Sequence, residues 1–439
     1  MDKEEALRFL DGHINRRLSR EGIDDSSLEN MRSLLTSLGD PQLDFPVVHI
    51  TGTNGKGSTS AIASNLFSAM GLKVGTYSSP HVSSITERIQ IDTTPIGDDE
   101  FSDLVSHLAL VKPLLKATPS WFELMTAAAF RCFADSAVDV AVVEVGMLGR
   151  FDATNIADAR VAVITNVGFD HTDGSGDWRR KLAWEKAGII KEDSILCLGE
   201  TDEKLEELFL AETPQKIYRR NIDFECVEND LAVGGRQLSI RAMEAMYDNI
   251  FLGQHGQHQG KNASIALAAA EAFLESELPE EVVTAAFADV NLPGRFEVLN
   301  SSPLFVLDGA HNPPGAVAAA QTLKNGFTNT GKKVLLVGMT EEKDAQWMLS
   351  SLEAEQYDLV ICTQAESPRS MPAKELSNIA RSMNQNVLTL THPEDALEKA
   401  FEYAGEEDVI LGSGSMYVVG ALREAFESFE YEQKQGTIR

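Results

Sequence analysis

Short runs of β-branched residues alternate with stretches of helical character along this chain of 439 residues, and this alternation limits its fold more than any other feature. Apolar runs form a first series at residues 47–50, 140–145, 161–167 and 195–198 and a second at residues 304–307, 334–338, 359–362, 387–390 and 408–412. Strands that alternate with helices are typical of parallel sheets covered by helices on both faces. We therefore predict an α/β fold with two successive parallel-sheet domains.

The segment NLPGRFE, residues 291–297, lies between the two series. Its Pro-Gly pair interrupts regular structure and marks a candidate hinge. We place a boundary near residue 295, which predicts a larger domain over residues 1–295 and a smaller Rossmann-like domain over residues 296–439.

The charge balance limits the partners of this chain. It has 38 Lys and Arg residues against 67 Asp and Glu residues, a formal net charge of −29. This excess of acid argues against broad attraction to nucleic acid or anionic membranes, so an anionic ligand requires a local cluster of cations. An acidic surface suits a saline cytoplasm or simply a very soluble protein, and the sequence leaves both open. We expect a monomer with small-molecule substrates, no nucleic acid partner and no membrane partner.

Cysteine usage and the N-terminus predict a cytoplasmic protein. The four cysteines are far apart and form no C-x-x-C pair, so we expect free thiols in a reducing compartment. The opening MDKEEALRFLDGHINRR is charged and helix-like, and it lacks the apolar stretch of a secretory signal. No apolar run approaches the roughly 20 residues that a membrane helix needs.

The stretch TGTNGKGST, residues 51–59, follows the first apolar run and leads into a predicted helix over residues 58–70. A glycine-rich turn between a strand and a helix binds phosphate, because unpaired N–H groups and the helix dipole attract an anion. Only two residues separate the first Gly from the Gly-Lys pair, whereas the common phosphate loop has four. We predict a P-loop ATPase-like N-terminal domain whose nucleotide site contains Thr53, Asn54, Gly55, Lys56, Gly57, Ser58 and Thr59.

This contracted loop resembles that of the Mur ligase superfamily, and specifically its folylpolyglutamate synthase and dihydrofolate synthase branch. Eight further segments occur in that family's order, at residues 77–92, 121–130, 144–155, 170–191, 256–263, 292–297, 307–313 and 412–420. Two positions depart from the family's pattern. Leu148 stands where the E-V-G-x-G-G-R motif has a glycine, and Phe151 replaces a customary leucine.

The resemblance implies an ATP- and Mg²⁺-dependent ligase that adds L-glutamate to reduced folates such as tetrahydrofolate and to dihydropteroate. ATP would phosphorylate the acceptor carboxylate, and the amine of glutamate would displace phosphate from the acyl phosphate. Three alternatives stay open: a Mur-type peptidoglycan ligase, whose usual extra N-terminal domain we do not expect here, a regulatory module that only senses or hydrolyses ATP, and a P-loop kinase.

The resemblance also assigns site residues. It implies Mg²⁺ at two sites, held by Ser58, Glu144, His171 and a Lys186 that is carbamylated by CO₂. It implies catalytic roles for Lys56, Lys186, His171 and Arg295. Further contacts to ATP come from Asn262, Arg295, Asp308 and His311, so that residues of both domains meet when the domains close. The acceptor site comprises Ser79, Pro80, His81, Phe122 and Asp152. From the residues alone, Glu144 could instead pair with an arginine, His171 could be a core or surface residue, Phe122 could be a core residue, and Lys186 could be a solvated helix lysine.

Overall fold

The computed structural model describes residues 1–14, 25–170, 172, 174–328 and 331–434. The helices in these residues are α1 Lys3–Asp11, α2 Asp25–Ser37, α3 Lys56–Ala69, α4 Asp98–Val111, α5 Trp121–Asp135, α6 Trp178–Ala187, α7 Glu203–Leu210, α8 His258–Leu274, α9 Glu280–Ala288, α10 Pro313–Gly326, α11 Ala345–Ser351, α12 Ala373–Ala380, α13 Pro393–Tyr403 and α14 Met416–Lys434. The strands are β1 Val47–Thr51, β2 Val74–Tyr77, β3 Ile89–Ile91, β4 Thr94–Pro95, β5 Val140–Glu144, β6 Ala159–Ile164, β7 Ile195–Leu198, β8 Lys216–Arg219, β9 Glu225–Ala232, β10 Gly235–Arg241, β11 Met246–Leu252, β12 Glu297–Ser301, β13 Leu304–Asp308, β14 Lys333–Val337, β15 Leu359–Cys362, β16 Val387–Thr389 and β17 Val409–Ser413.

The first sheet has eight strands in the order β4-β3-β2-β5-β1-β6-β7-β8. Strands β2, β5, β1, β6, β7 and β8 run parallel, while β3 and β4 form an antiparallel edge. Every residue of β1 and β5 is buried, as expected for central strands covered on both faces. The predicted parallel sheet is confirmed, and the antiparallel edge was not predicted.

Helices cover both faces of this sheet. Apolar side chains of α3, α8 and α9 pack with β1, β5 and β6 on one face. Helices α1, α2, α4 and α5 supply the core on the other face. Eight of the 14 residues of helix α3 are buried, because the helix lies between the sheet and the alanine-rich α8. This burial fixes the helix that follows the glycine-rich turn.

An antiparallel sheet in the order β11-β10-β9 adjoins α8 and shares its core. This element was not predicted. Strand β9 has the sequence ECVENDLA, and none of its residues is fully buried. A half-exposed strand needs no continuous apolar run, so its sequence gives only a weak strand signal.

The second sheet has six strands in the order β12-β13-β17-β14-β15-β16. Five of these strands are parallel: β13, β17, β14, β15 and β16. Strand β12 pairs antiparallel with β13 at one edge. A helix follows each of these five parallel strands, which confirms the predicted second βα series.

Two smaller expectations also have structural outcomes. All four cysteines are free thiols, and Cys132, Cys197 and Cys362 are buried. Within the described ranges, every helix is too short or too polar to cross a membrane.

The sheet order brings functional loops together. Strand β1 lies between β5 and β6, and the Ile50 position pairs with Glu144 on one side and with Val163 on the other. The carboxyl ends of parallel strands point to the same edge, where α/β proteins bind ligands. The loops that follow β1, β5 and β6 therefore meet at one edge of the first sheet.

Candidate active site at the junction of the two sheets

The turn after β1 leads directly into α3, which begins at Lys56, two residues earlier than predicted. Gly55 precedes the helix with a left-handed φ of 84°, and a Cβ atom there would lie 2.3 Å from Asn262 Oδ1. Glycine is therefore required by both the backbone and the neighbouring side chain. Among the described residues no side chain caps the N-terminus of α3, so its first N–H groups are available to an anion.

The turn is held by the loop that follows β6. The Thr53 hydroxyl donates to Gly168 O at 3.1 Å and accepts from Gly168 N at 2.9 Å. The Asn54 N–H donates to Asn166 Oδ1 at 3.1 Å, and Asn166 Nδ2 donates to Asn54 O at 2.8 Å. These reciprocal bonds fix the backbone of the turn.

A buried carboxylate lies beside the first turn of α3. Glu144 is the last residue of β5 and is only 3% exposed. Its Oε2 atom accepts from Ser79 N at 2.9 Å, and a Cβ atom at Gly57 would lie 3.5 Å from the same oxygen. Burial raises the pKa of Glu144 above its ordinary value, while the charges of Lys56 and Arg295 oppose that rise.

The donor set around Glu144 fits a magnesium ion. No described residue donates a hydrogen bond to Glu144 Oε1, and Ser58 is buried one residue beyond Gly57. Magnesium prefers oxygen ligands, uses one or two carboxylates and takes the rest from water and phosphate. The part of the chain that the structure describes has no group of three or more His, Cys, Asp or Glu side chains suited to a metal. The predicted ligand His171 lies outside the described residues.

Lys186 is brought to the loop that follows β5. It lies in the last turn of α6, is 3% exposed and is therefore buried rather than solvated. A Cβ atom at Gly149 would lie 3.2 Å from Lys186 Cα, and Arg150 N donates to Glu185 O at 2.7 Å. The end of α6 and the loop after Glu144 therefore form one packed unit.

Leu148, which stands where the family's pattern has a glycine, keeps a glycine-like backbone conformation. Its φ is 64°, in the left-handed region where glycine is favoured. The backbone conformation that suits the motif's glycine is kept, although a leucine stands here. Thr51 Oγ1 donates to Leu148 O at 2.6 Å, and the Leu148 side chain packs against the core beside α6. These contacts hold the residue in an unfavourable conformation.

Asp308 of the second sheet and Arg295, two residues before β12, also lie at the junction. Asp308 ends β13, and its oxygens accept from Phe296 N and Ala310 N at 2.9 Å each. Burial raises the pKa of Asp308 to about 6, and the charge of Arg295 limits the rise. Arg295 also lowers the pKa of the half-buried His258, where desolvation is the larger cause. Arg295 thus acts electrostatically on groups of both sheets, including Glu144.

Side chains from loops that follow strands of the second sheet also bond directly to loops that follow strands of the first. Asn312 and Asn54 exchange amide hydrogen bonds of 2.9 and 3.2 Å. Lys343 Nζ lies 2.6 Å from Asp170 Oδ1, and His311 Nε2 lies 3.6 Å from Asp170 Oδ2. Sequence reasoning selected His311 and Asn54 but missed the other three residues. Asp170 and Asn312 fall inside motif segments 170–191 and 307–313, which were the available signal, whereas Lys343 lies outside every segment.

The segment of Ser79, Pro80 and His81 bridges the two sheets. Besides the bond from Ser79 N to Glu144, Arg88 Nε donates to His81 Nδ1 at 2.8 Å. Burial and the Arg88 charge lower the pKa of His81 to about 4, so its imidazole is neutral at pH 7. A Cβ atom at Gly420 would lie 2.1 Å from Val82 O, so Val82, the residue after this segment, packs on α14.

Phe122 lies beside the loop after β5. Its ring packs against Gly146, where a Cβ atom would lie 2.3 Å from Phe122 Cζ. The ring is half-buried and also contacts the core, so the packing interpretation and the ligand interpretation of Phe122 are compatible.

Asp152 is buried in the same loop. Its Oδ2 atom accepts from Met147 N at 2.8 Å, and its Oδ1 atom accepts from the N–H and the hydroxyl of Thr154 at 3.0 and 2.5 Å. Burial raises the pKa of Asp152, and these hydrogen bonds oppose the rise. Asp152 also lines a cavity of about 580 Å³ with Phe151 and Trp184.

Comparison with known proteins agrees with this arrangement. Residues 50–270 match the Mur ligase middle domain, and residues 294–416 match the Mur ligase glutamate ligase domain. These matches define a protein of the Mur ligase class.

Curated relatives define the branch. A dihydrofolate synthase/folylpolyglutamate synthase of Mycobacterium tuberculosis is 37% identical over 92% of this chain and 90% of its own length. The Bacillus subtilis protein of the same name is 31% identical over 90% of this chain and 94% of its own length. The chain therefore belongs to the folylpolyglutamate synthase and dihydrofolate synthase family.

Solved structures of proteins in this family have the same fold as this chain. Mycobacterium tuberculosis folylpolyglutamate synthase complexed with ADP and AMPPCP has a TM-score of 0.88 at 36% identity, covering 97% of this chain and 99% of that one. Escherichia coli FolC in complex with DHPP and ADP has a TM-score of 0.86 at 27% identity, covering 98% and 99%. A bifunctional synthase with Mn, AMPPNP and L-glutamate bound has a TM-score of 0.84 at 29% identity, covering 97% and 98%.

Proposed function

We propose that this protein is an ATP-dependent ligase that joins L-glutamate to the carboxyl group of reduced folates and of dihydropteroate. The observation that carries the proposal is the junction itself. The glycine-rich turn after β1 bonds to Asn312 through Asn54, and the charge of Arg295 acts both on the buried Glu144 of the first sheet and on Asp308 of the second. The names of the relatives and the ligands bound to the related structures support the same activity.

The nucleotide is proposed to bind along the turn and across to the second sheet. The first N–H groups of α3 and the Lys56 ammonium, which now bonds to Gly52 O at 3.1 Å, would bind its phosphates. Thr53, Asn54, Gly55, Gly57, Ser58 and Thr59 form the rest of the turn. Asn262, which touches Gly55, would lie toward the base, while Arg295, Asp308 and His311 would contact the nucleotide from the other side.

Divalent metal use is supported by the manganese in a related structure and by the oxygen donors around Glu144. Glu144 and Ser58 would hold one magnesium ion, and His171 together with a carbamylated Lys186 would hold a second. An ammonium beside the metal would be repelled, whereas a carbamate on the buried Lys186 would supply two anionic oxygens to it. Bound magnesium would neutralise charge on the phosphates during transfer.

The proposed reaction has two steps, and negative charge moves between the reacting groups in both. An acceptor carboxylate oxygen attacks the γ-phosphorus of ATP, the bond to ADP breaks, and a mixed anhydride forms. The glutamate amine, after losing a proton, then attacks the acyl carbon, and phosphate leaves with the former carboxylate oxygen. Lys56 and Arg295 would stabilise the negative charge that moves between these groups.

The acceptor is proposed to enter past the loop after β5. Ser79, Pro80 and His81 would cover it, Phe122 would pack on it, and Asp152 would accept its N–H groups. His81 is neutral at pH 7, so it can orient an acceptor without adding charge.

We also propose that residues 1–295 and 296–439 act as two domains that close over ATP. The second sheet begins at Glu297, and the Asn54–Asn312 and Asp170–Lys343 pairs are the contacts that closure would form. Closure would exclude water from the acyl phosphate, which water would otherwise hydrolyse.

The test is a ligation assay with ATP, Mg²⁺ and L-glutamate, and with dihydropteroate and tetrahydrofolate in separate reactions. A product heavier by one glutamyl unit in both reactions is expected. Phosphate release that needs neither glutamate nor acceptor, without such a product, would refute the ligase proposal. If only one of the two acceptors gives a product, the other acceptor is not a substrate and is removed from the proposal.

A further inference from the structure

Two aromatic side chains meet across the junction at a place that the assignments above do not use. Phe169 lies in the loop after β6, and Trp347 lies in α11, which follows β14 of the second sheet. Their ring centres are 4.6 Å apart and the rings are tilted by 56°, which is a close aromatic contact. Both residues lie outside every motif segment of the sequence, so only the folded chain shows that they meet.

Each ring is held within its own proposed domain. The Trp178 ring of α6 packs edge to face against Phe169, with the ring centres 5.4 Å apart. Trp347 N donates to Asp344 Oδ1 at 2.9 Å, and this bond caps α11 and fixes the turn that carries the indole. In the described part of the chain, the nearby Leu349 belongs to the core of the second sheet, whereas Trp347 lies outside that core and is 43% exposed. The indole therefore serves the contact between the domains and not the packing of its own domain.

The aromatic contact lies next to the charged pair that crosses the junction. Phe169 immediately precedes Asp170, and Trp347 lies four residues after Lys343. Asp170 Oδ1 and Lys343 Nζ are 2.6 Å apart, and both side chains are at most 12% exposed. A charge pair with little water around it attracts strongly but costs desolvation, so contacts beside the pair help to decide whether it forms. Each domain thus presents one aromatic ring and one charge to the other domain.

We infer that Phe169 and Trp347 are positioning residues, whose contact keeps the two domains together while the acyl phosphate is present. Phe169 places Asp170 at the second domain, where Asp170 Oδ2 accepts from Asn312 Nδ2 at 3.3 Å. Asn312 in turn bonds to Asn54 of the glycine-rich turn. The aromatic contact therefore holds the turn and the second domain in one arrangement. This inference rests on the proposed ligase function, because that function supplies the acyl phosphate.

Loss of the contact has a chemical consequence that loss of stability does not have. When the domains separate more often, water reaches the acyl phosphate and attacks it in place of the glutamate amine. The bond between the acyl group and the phosphate breaks, the acceptor carboxylate is regenerated, and phosphate is released. One ATP is then consumed without an amide bond. A merely structural role lowers amide formation and phosphate release together and leaves their ratio unchanged.

The first experiment measures the phosphate released for each amide formed, with ATP, Mg²⁺, L-glutamate and dihydropteroate. It compares the wild type with Trp347→Leu, with Trp347→Phe, which keeps an aromatic ring, and with the control Tyr431→Leu. Tyr431 is an aromatic residue of α14 that is 65% exposed. We expect Trp347→Leu to form amide about 3- to 10-fold more slowly, the range of a lost aromatic contact, and its phosphate ratio to rise about twofold or more. A ratio that does not rise in Trp347→Leu, or that rises equally in Trp347→Phe or Tyr431→Leu, would overturn the inference.

The second experiment needs no ligation. Calorimetry with AMPPNP and Mg²⁺ is applied to the wild type, Phe169→Leu, Trp347→Leu and the variant with both changes. Both residues are partly exposed, so leucine leaves the core of each domain intact. Each single change should weaken AMPPNP binding about 3- to 10-fold, and the double change should weaken it no further, because one shared contact is lost. Unchanged affinity, or losses that multiply in the double variant, would overturn the inference. A wild type that shows this coupling but forms no amide would refute the ligase function and leave the aromatic contact standing.

Discussion

Acid should destabilise this protein through His49, a buried histidine in the strand that leads into the glycine-rich turn. His49 lies in β1, is fully buried, and its Nε2 atom is 2.9 Å from Thr154 Oγ1. The Thr154 hydroxyl donates to Asp152, so it can only accept from His49, which places the proton of the neutral imidazole on Nε2. His49 Nδ1 is buried and has no hydrogen-bond partner among the described residues. Protonating that atom would bury an unpaired charged donor.

The size of the effect follows from the pKa values. Burial, with the Lys191 charge as a smaller cause, lowers the pKa of His49 from 6.5 to about 3. The unfolded chain takes up this proton near pH 6.5, whereas the folded chain does not until near pH 3. The folded state is therefore fully favoured with respect to this group above pH 6.5, and its free energy of unfolding decreases as the pH falls below that value. Between about pH 7.5 and about pH 5 this single group removes about 2 kcal/mol from the free energy of unfolding.

The substitution His49→Gln isolates this contribution, because glutamine does not titrate and its amide can still donate to Thr154. Urea denaturation at several pH values between these limits gives the free energy of unfolding of both proteins. The loss on acidification should be smaller by about 2 kcal/mol in the variant, whatever its stability at pH 7.5. Equal losses in the two proteins would refute the assignment of His49 as a buried neutral imidazole.

Three further substitutions test the site. Gly55→Ala should weaken ATP binding at least tenfold, because its Cβ would collide with Asn262 Oδ1. The control is Gly71→Ala, since Gly71 has the same φ of 84° but open space around it. The control should lose about 1 kcal/mol of stability and keep its ATP affinity, and calorimetry measures both affinities. Glu144→Gln should lower kcat by about 100-fold or more without lowering the thermal midpoint, since a buried carboxylate is lost together with its metal-binding charge; a large fall in the midpoint would instead indicate a structural role. Lys56→Ala should abolish turnover in a folded protein, and turnover retained by that variant would remove Lys56 from the mechanism.

Much of the fold follows from local patterns. Continuous apolar runs such as residues 140–145 could be identified as central strands because both of their faces are buried. The phosphate-binding turn could be identified because its glycines, lysine and following helix are contiguous in the sequence. Strand β9 could not be identified, because its residues are at most partly buried and polar residues interrupt its apolar ones. The antiparallel edge strands β3 and β4 are short, and they carry too few residues for a periodic signal.

The candidate site was harder to predict where it depends on long-range contacts. Lys343 meets Asp170 across 173 residues, and nothing local to Lys343 indicates this partner. The position of Leu148 could be identified as unusual from the missing glycine, but the retained left-handed conformation depends on packing that only the folded structure supplies. Sequence therefore gave candidate residues within contiguous motifs, which stay predictions, and it missed the Asn54–Asn312 and Asp170–Lys343 pairs that connect the two halves of the site.

The most direct test of the account follows the oxygen atoms of the acceptor. Dihydropteroate labelled with ¹⁸O in its carboxyl group is incubated with the enzyme, ATP, Mg²⁺ and L-glutamate, and the released phosphate is analysed by mass spectrometry. Activation of the carboxylate by phosphorylation predicts one ¹⁸O atom in the phosphate for each amide bond formed. Amide formation accompanied by unlabelled phosphate would contradict the proposed activation of the acceptor at the junction of the two sheets.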